Sequence, residues 1–167
     1  MKTKLKIPML AAVLCSVAMI CSCGESRRAV KPETIPENFS KSAEITLDDN
    51  TYCANFRRGG SDIWECEFTS PETIEGLKIT CSGELCTLNF NELSYSLDRA
   101  NVPQYSVVTL MIKTLETLIS GKELSCTENG DIITERGLVS GEDFTAVIKK
   151  GELQEITIAQ NFTAKFK

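Results

Sequence analysis

Residues Thr51–Ser70 read TYCANFRRGGSDIWECEFTS. Two runs enriched in Tyr, Phe, Ile, Trp and Thr flank a Gly-Gly pair, and apolar and polar residues alternate through much of each run, as in a strand with one face against a core. Gly59-Gly60 suits a two-residue type I′ turn, because both central positions need positive φ. In that register Asn55 lies opposite Trp64 and Cys53 opposite Cys66. Counted outward from the turn, Cys53 and Cys66 fall on a non-hydrogen-bonded pair, with Cα atoms about 4.5 Å apart and within disulfide range. The stretch therefore predicts an antiparallel hairpin.

The same signal extends in both directions. Upstream, NFSKSAEITLDD reads as a strand, and downstream PETIEGLKITCSGELCTLNFNELSYSLD reads as two or three more. With Ser82-Gly83 as the turn, Leu77, Ile79 and Cys81 share a face with Cys86, Leu88 and Phe90, and that apolar face should meet the core. Residues 103–120, PQYSVVTLMIKTLETLIS, change period: Val108, Met111, Ile112, Leu115, Leu118 and Ile119 recur at helical spacing, Pro103 suits the first turn and Gly121 the position after the last. Strand signals then resume through ELSCTE, IITERGL, DFTAVIKK, LQEITIA and FTAKFK, separated by Gly-containing turns. Short strands joined by tight turns imply antiparallel pairing without βαβ crossovers, a mainly β (α+β) fold with one amphipathic helix.

The chain opens with Lys2, Lys4 and Lys6, then runs uncharged for 14 residues, from Ile7 to Ile20. That length fits the h-region of a signal peptide better than a membrane span, which needs about 20 apolar residues. Ile20, Ser22 and Cys23 resemble a bacterial lipobox, with an aliphatic residue at minus three and a small one at minus one. Cys23 is thus the expected lipidation site and 1–22 the expected signal peptide, because Cys21 would have bulky Ile20 immediately before it. A diacylglyceryl group supplies the two chains that stable anchoring takes. The expected location is the extracytoplasmic face of the cell membrane, lipid-anchored. Residues 24–37, GESRRAVKPETIPE, contain two prolines and no hydrophobic periodicity, so 23–37 reads as a lipidated flexible tether and 38–167 as the folded domain.

Cleavage after Ser22 would leave 15 basic against 23 acidic residues, a net charge of −8. Such a surface argues against nucleic acid as a partner. The chain has no histidine, which removes Ser-His and Cys-His nucleophile activation and the commonest zinc ligand. No acid pair stands at a telling spacing and no cysteine spacing matches a zinc knuckle, so we expect no enzyme, no metal and no cofactor. Five cysteines remain outside the signal and the anchor: Cys53, Cys66, Cys81, Cys86 and Cys126. Cys53–Cys66 is the candidate disulfide; Cys81 and Cys86 are only diagonal neighbours in the Ser-Gly register, so a bridge between them needs a longer turn.

Taken together, the anchor cysteine, the tether, Tyr52–Phe56 leading through RRGG to Trp64, EFTSPETIEGLKI, LNFNELSY and one helix before a second meander resemble the lipoprotein-carrier superfamily of LolA, LolB, LppX and LprG. The chain looks most like the small GerS-type lipoproteins of spore-forming anaerobes, over roughly residues 38–167. The resemblance implies a curved antiparallel half-barrel of about ten or eleven strands whose apolar concave face is covered by helix and holds a lipid or other apolar ligand. By parity Trp64, Phe68, Leu77, Ile79, Leu88 and Phe90 would line that face, with Met111, Leu115 and Leu118 facing them. The same residues would equally make an ordinary sheet core, since a ligand cavity differs only in being left unfilled. The lipid carriers also have an N-terminal helix, which the Pro-broken segment 24–37 does not supply. This leaves a second expectation open, a protein-interaction module that scaffolds or activates a cell-envelope enzyme.

Overall fold

The computed structural model describes residues 30–60 and 62–167. The expected signal peptide, Cys23 and all of the tether before Val30 lie outside the described residues. Eleven strands and one α-helix follow: β1 (Ser40–Leu47), β2 (Asn50–Gly59), β3 (Ile63–Ser70), β4 (Lys78–Ser82), β5 (Leu85–Phe90), β6 (Leu93–Asp98), α1 (Val107–Ser120), β7 (Ser125–Asn129), β8 (Ile132–Val139), β9 (Glu142–Lys149), β10 (Glu152–Ile158) and β11 (Phe162–Phe166).

All the strands join one open sheet in the order β6-β5-β4-β3-β2-β1-β11-β10-β9-β8-β7. Every neighbouring pair is antiparallel, and only β1 and β11 are not consecutive in the chain. The sheet is therefore two meanders sewn together along their first and last strands. Among the described residues its two edges are β6 and β7, which are consecutive in sequence, so the connection carrying α1 has to run from one edge of the sheet to the other. The buried side of α1, including Val108, Leu110, Met111, Ile112, Leu115 and Leu118, joins a single core cluster with Ile45, Phe56, Trp64, Phe144, Ile148, Ile156 and Phe162 of the sheet.

The helix is shorter than its sequence pattern suggests. It starts at Val107, where Ser106 takes extended backbone angles and its Oγ accepts the Thr109 N–H at 3.2 Å; Pro103 lies before this cap. Gly121 ends it in the left-handed region, with φ of 62° and its N–H donated to Thr117 O at 3.0 Å. A Cβ there would sit 2.9 Å from Thr34 Cγ2, so glycine serves both the turn and a close approach of the N-terminal segment.

Two hairpin registers differ from the expected ones. At the first, Gly59 pairs with Ile63, Arg58 with Trp64 and Phe56 with Cys66. The connection spans positions 60–62 instead of the Gly-Gly pair alone, which changes the parity of the register and puts Cys53 and Cys66 on opposite faces. Cys66 is buried with Trp64 and Phe68, whereas Cys53 lies opposite Glu44 of β1 and Ser70 of β3. Both thiols are free, so the expected Cys53–Cys66 bridge does not form. At the second hairpin Ser82 pairs with Leu85, which makes Gly83-Glu84 the turn and sets Cys81 directly opposite Cys86. Those two cysteines are the disulfide, with Cα atoms 4.1 Å apart. A shift of two residues keeps every side chain on its expected face, so the predicted shared face of Ile79, Cys81, Cys86 and Leu88 stands while its partners change.

The packed chain also reaches back beyond Asn38. Ile35 is 4% exposed and Phe39 3% exposed, and the Phe39 ring lies 6.1 Å from that of Trp64 and 5.9 Å edge-on to that of Phe166. Residues 33–39 of the expected tether and domain start thus close over the core.

Candidate functional site

The nine residues expected to face a ligand separate into three groups. Trp64, Phe68, Met111, Leu115 and Leu118 are fully closed inside the core. Leu77 and Ile79 are half-buried and pack against it. Leu88 and Phe90, on β5, are half-buried and lie beyond the cluster. The reason is geometric: the row Trp64–Cys81–Cys86–Leu97 across β3–β6 stays under cover, but the next row, Cys66–Ile79–Leu88–Tyr95, runs from a fully buried thiol to a ring that is 67% exposed. The row after that ends at Phe90 paired with Leu93, which is 74% exposed.

This uncovered strip lies on an edge strand. β6 reads LSYSLD, and among the described residues no strand pairs with its outer side. Edge strands are commonly blunted by Lys, Pro, bulges or a covering element; β6 has no Lys, no Pro and no register shift against β5. The Asn91-Glu92 turn, with φ of 46° and 68°, fixes which backbone groups point out. Counting from the Phe90–Leu93 pair, Leu93, Tyr95 and Leu97 bond to β5, while the N–H and C=O of Ser94 and Ser96 face solvent. The residues expected on this face end at Phe90 and do not include Leu93, Tyr95 and Leu97. The signal was there in the alternation L-S-Y-S-L, uncharged until Asp98.

A cavity of about 300 Å³ opens between the β4–β5 hairpin and the first half of α1. Its wall is the Cys81–Cys86 disulfide with Val102, Val108 and Ile112, and its rim carries Glu84, Arg99 and Lys113. Arg99 Nη2 donates to both oxygens of Glu116, at 3.0 and 3.2 Å. None of the nine expected ligand-facing residues lines this cavity. A cleft of about 530 Å³ elsewhere is lined mainly by polar residues of the opposite sheet face, where Glu65 takes Arg57 at 2.7 Å and Lys78 at 3.2 Å. The Arg57 hydrogen bond, followed by Lys78, holds the Glu65 carboxyl below its ordinary range against a partial desolvation.

The one fully buried acid among the described residues is Glu135 on β8. Its Oε1 accepts the backbone N–H of Glu33 at 2.7 Å and the thiol of Cys126 at 3.7 Å. Oε2 is buried without a hydrogen-bond partner among the described residues. Burial, with the nearby Glu33 charge adding to it, raises the carboxyl above its ordinary value, against the lowering effect of the two hydrogen bonds. Burial also pushes Cys66 up to about 12, and burial with the Glu135 charge pushes Cys126 up to about 11. Neither thiol is therefore a thiolate at neutral pH, so neither is set up as a nucleophile. Among the described residues no three Cys, Asp or Glu side chains converge as a metal site requires. No described helix is long and apolar enough to cross a membrane.

The chain matches no protein-family model and no curated protein sequence.

Proposed function

We propose that this protein is a lipid-anchored extracytoplasmic module that docks a protein partner of the cell envelope. In this reading Cys23 carries the anchor, and the open sheet is a half-barrel of the LolA-like superfamily, nearest the GerS type, with α1 over its concave face. The partner meets the part of that face which α1 leaves bare. The observation that carries the proposal is the row Cys66–Ile79–Leu88–Tyr95, which continues a core face out to a strand edge that is unpaired among the described residues. Exposed apolar surface rimmed by polar residues, on an edge with free backbone donors and acceptors, is what a protein partner requires. A chain with no histidine, in which burial raises the Cys66 and Cys126 thiols, supports a binding role over a catalytic one. The test is crosslinking and affinity capture of the full membrane-anchored chain from its own cells. A stoichiometric complex that Leu93→Lys with Tyr95→Lys abolishes is the expected result; an unchanged complex, or none, would sink the proposal.

A second reading is favoured by one specific observation. The 300 Å³ cavity, apolar in its depths and charged at its rim, has the size of the smallest ligand pockets, which run from about 300 to 1,000 Å³. It supports a lipid or other apolar ligand held beside the disulfide. Native mass spectrometry of protein from its own cells would show a co-purifying lipid, reduced in Val108→Trp and Ile112→Trp, which fill the space. A single apo mass with no shift on delipidation would count against it.

A further inference from the structure

We infer that the occupant of β6 is an extended, basic-flanked strand of the partner, added edge to edge to the sheet; this rests on the partner-docking reading above. Three features combine. Ser94 and Ser96 offer outward backbone groups two residues apart, the spacing at which an antiparallel strand makes its bonded pairs. Leu93, Tyr95 and Leu97 line one face beside those groups, so the incoming strand needs apolar residues at alternate positions. Charge then selects the flanks. Between Leu77 and Arg99 the chain carries Glu84, Glu92 and Asp98 against only Lys78 and Arg99, and each of those cations is already held, Lys78 by Glu65 and Arg99 by Glu116. Glu92 and Asp98 stand exposed at the two ends of β6.

The same charges turn away the most obvious rival, a second copy of this chain. Because LSYSL reads alike in both directions, two β6 strands could pair about Tyr95 with Leu93 opposite Leu97. That register also sets Glu92 against Asp98 twice, and like charges directly opposite destabilise a pair. A strand with Lys or Arg at those two positions relieves the repulsion and gains two attractive pairs in its place.

The test uses the full chain in detergent and the capped synthetic peptide KVTVTVK, whose antiparallel register sets its lysines against Asp98 and Glu92 and its threonines against Ser96 and Ser94. Fluorescence polarisation should show saturable binding that weakens about tenfold or more in Leu93→Lys and Tyr95→Lys, the loss of one to two good cross-strand pairs. Both sites are largely exposed, so the fold should survive, which circular dichroism checks. The peptide EVTVTVE should bind at least about tenfold more weakly at low salt, and N-methylation of the two threonines should abolish binding while N-methylation of the central valine does not. Equal binding of the basic and acidic peptides would overturn the inference. So would a dimer in sedimentation that Tyr95→Lys dissolves, which would assign the edge to a second copy. Photocrosslinkers placed at Tyr95 and at Ile132 and Leu138, exposed apolar residues of β8, in the anchored chain separate the two levels: crosslinks at Ile132 or Leu138 without Tyr95 defeat the β6 strand but keep a partner, and none at any position defeats partner docking itself.

Discussion

Gly137 lies on β8 opposite Phe144 of β9, and its replacement by alanine sets strand propensity against packing. By propensity alone Gly137→Ala should help, because glycine in a strand costs about 0.5–1 kcal/mol relative to alanine, and Gly137 is not among the positive-φ glycines. Geometry opposes this. A Cβ at 137 would lie 2.8 Å from Phe144 Cε1, 3.0 Å from its Cζ and 2.9 Å from Leu124 Cδ2. The Phe144 ring is fully buried and cannot swing into solvent. Forcing a methyl into such a site costs about 1–3 kcal/mol, so the balance is a net loss of about 1 kcal/mol. In a domain of this size that lowers Tm by a few degrees, roughly 3–5 °C. Urea unfolding followed by fluorescence of Trp64, the chain's single tryptophan and fully buried, gives the midpoint directly; the m-value should not change. Gly59→Ala is the control. It has nothing within 4 Å of its Cβ and no positive φ, so it should stabilise by about 0.4–1 kcal/mol. If Gly137→Ala matched or exceeded the stability of the wild type, the packing of Phe144 over β8 would be refuted.

Two further outcomes test the buried chemistry. A carboxyl whose folded pKa is raised contributes stability that is full below the unfolded value of 4.5 and is lost as pH rises through the folded value; thermal melts across this window should therefore show the wild type losing more stability with rising pH than Glu135→Gln, and parallel profiles would exclude the acid that Glu33 caps. Protease digestion without reductant, followed by mass spectrometry, should recover Cys81 linked to Cys86 with Cys53, Cys66 and Cys126 alkylated. Replacing both bridged cysteines by alanine should cost about 2 kcal/mol from the short loop they close, and a recovered Cys53–Cys66 peptide would overturn the hairpin register.

Much of the architecture was legible in local pattern. Alternation marked the strands, the change of period at Val108–Ile119 marked the helix, and the tight turns between short strands required antiparallel pairing within each meander. Registers were harder, because a glycine pair such as Gly59-Gly60 permits a two-residue turn without excluding a three-residue connection, and one extra residue reverses the face of every side chain beyond it. Candidate site residues fared according to how far the buried cluster extends across the sheet. Parity put Trp64 and Phe68 on the inward face, yet parity carries no information on which part of that face a helix reaches.

By itself, then, the sequence determined what the chain is made of: a lipobox-like start, an acidic chain without histidine, strands of period two around one amphipathic helix. These follow from composition and short-range spacing, where each residue's preference acts on its own neighbours. Only the tertiary structure decided that Cys81 meets Cys86, that Glu33 closes on Glu135, and that β1 joins β11 so that β6 is left as an edge. The last two depend on contacts between residues far apart in the chain, and the first, between cysteines five residues apart, on which two residues form the hairpin turn. Leu88, Leu93 and Tyr95 lie outside the core cluster that the helix joins, and the exposed apolar strip begins there.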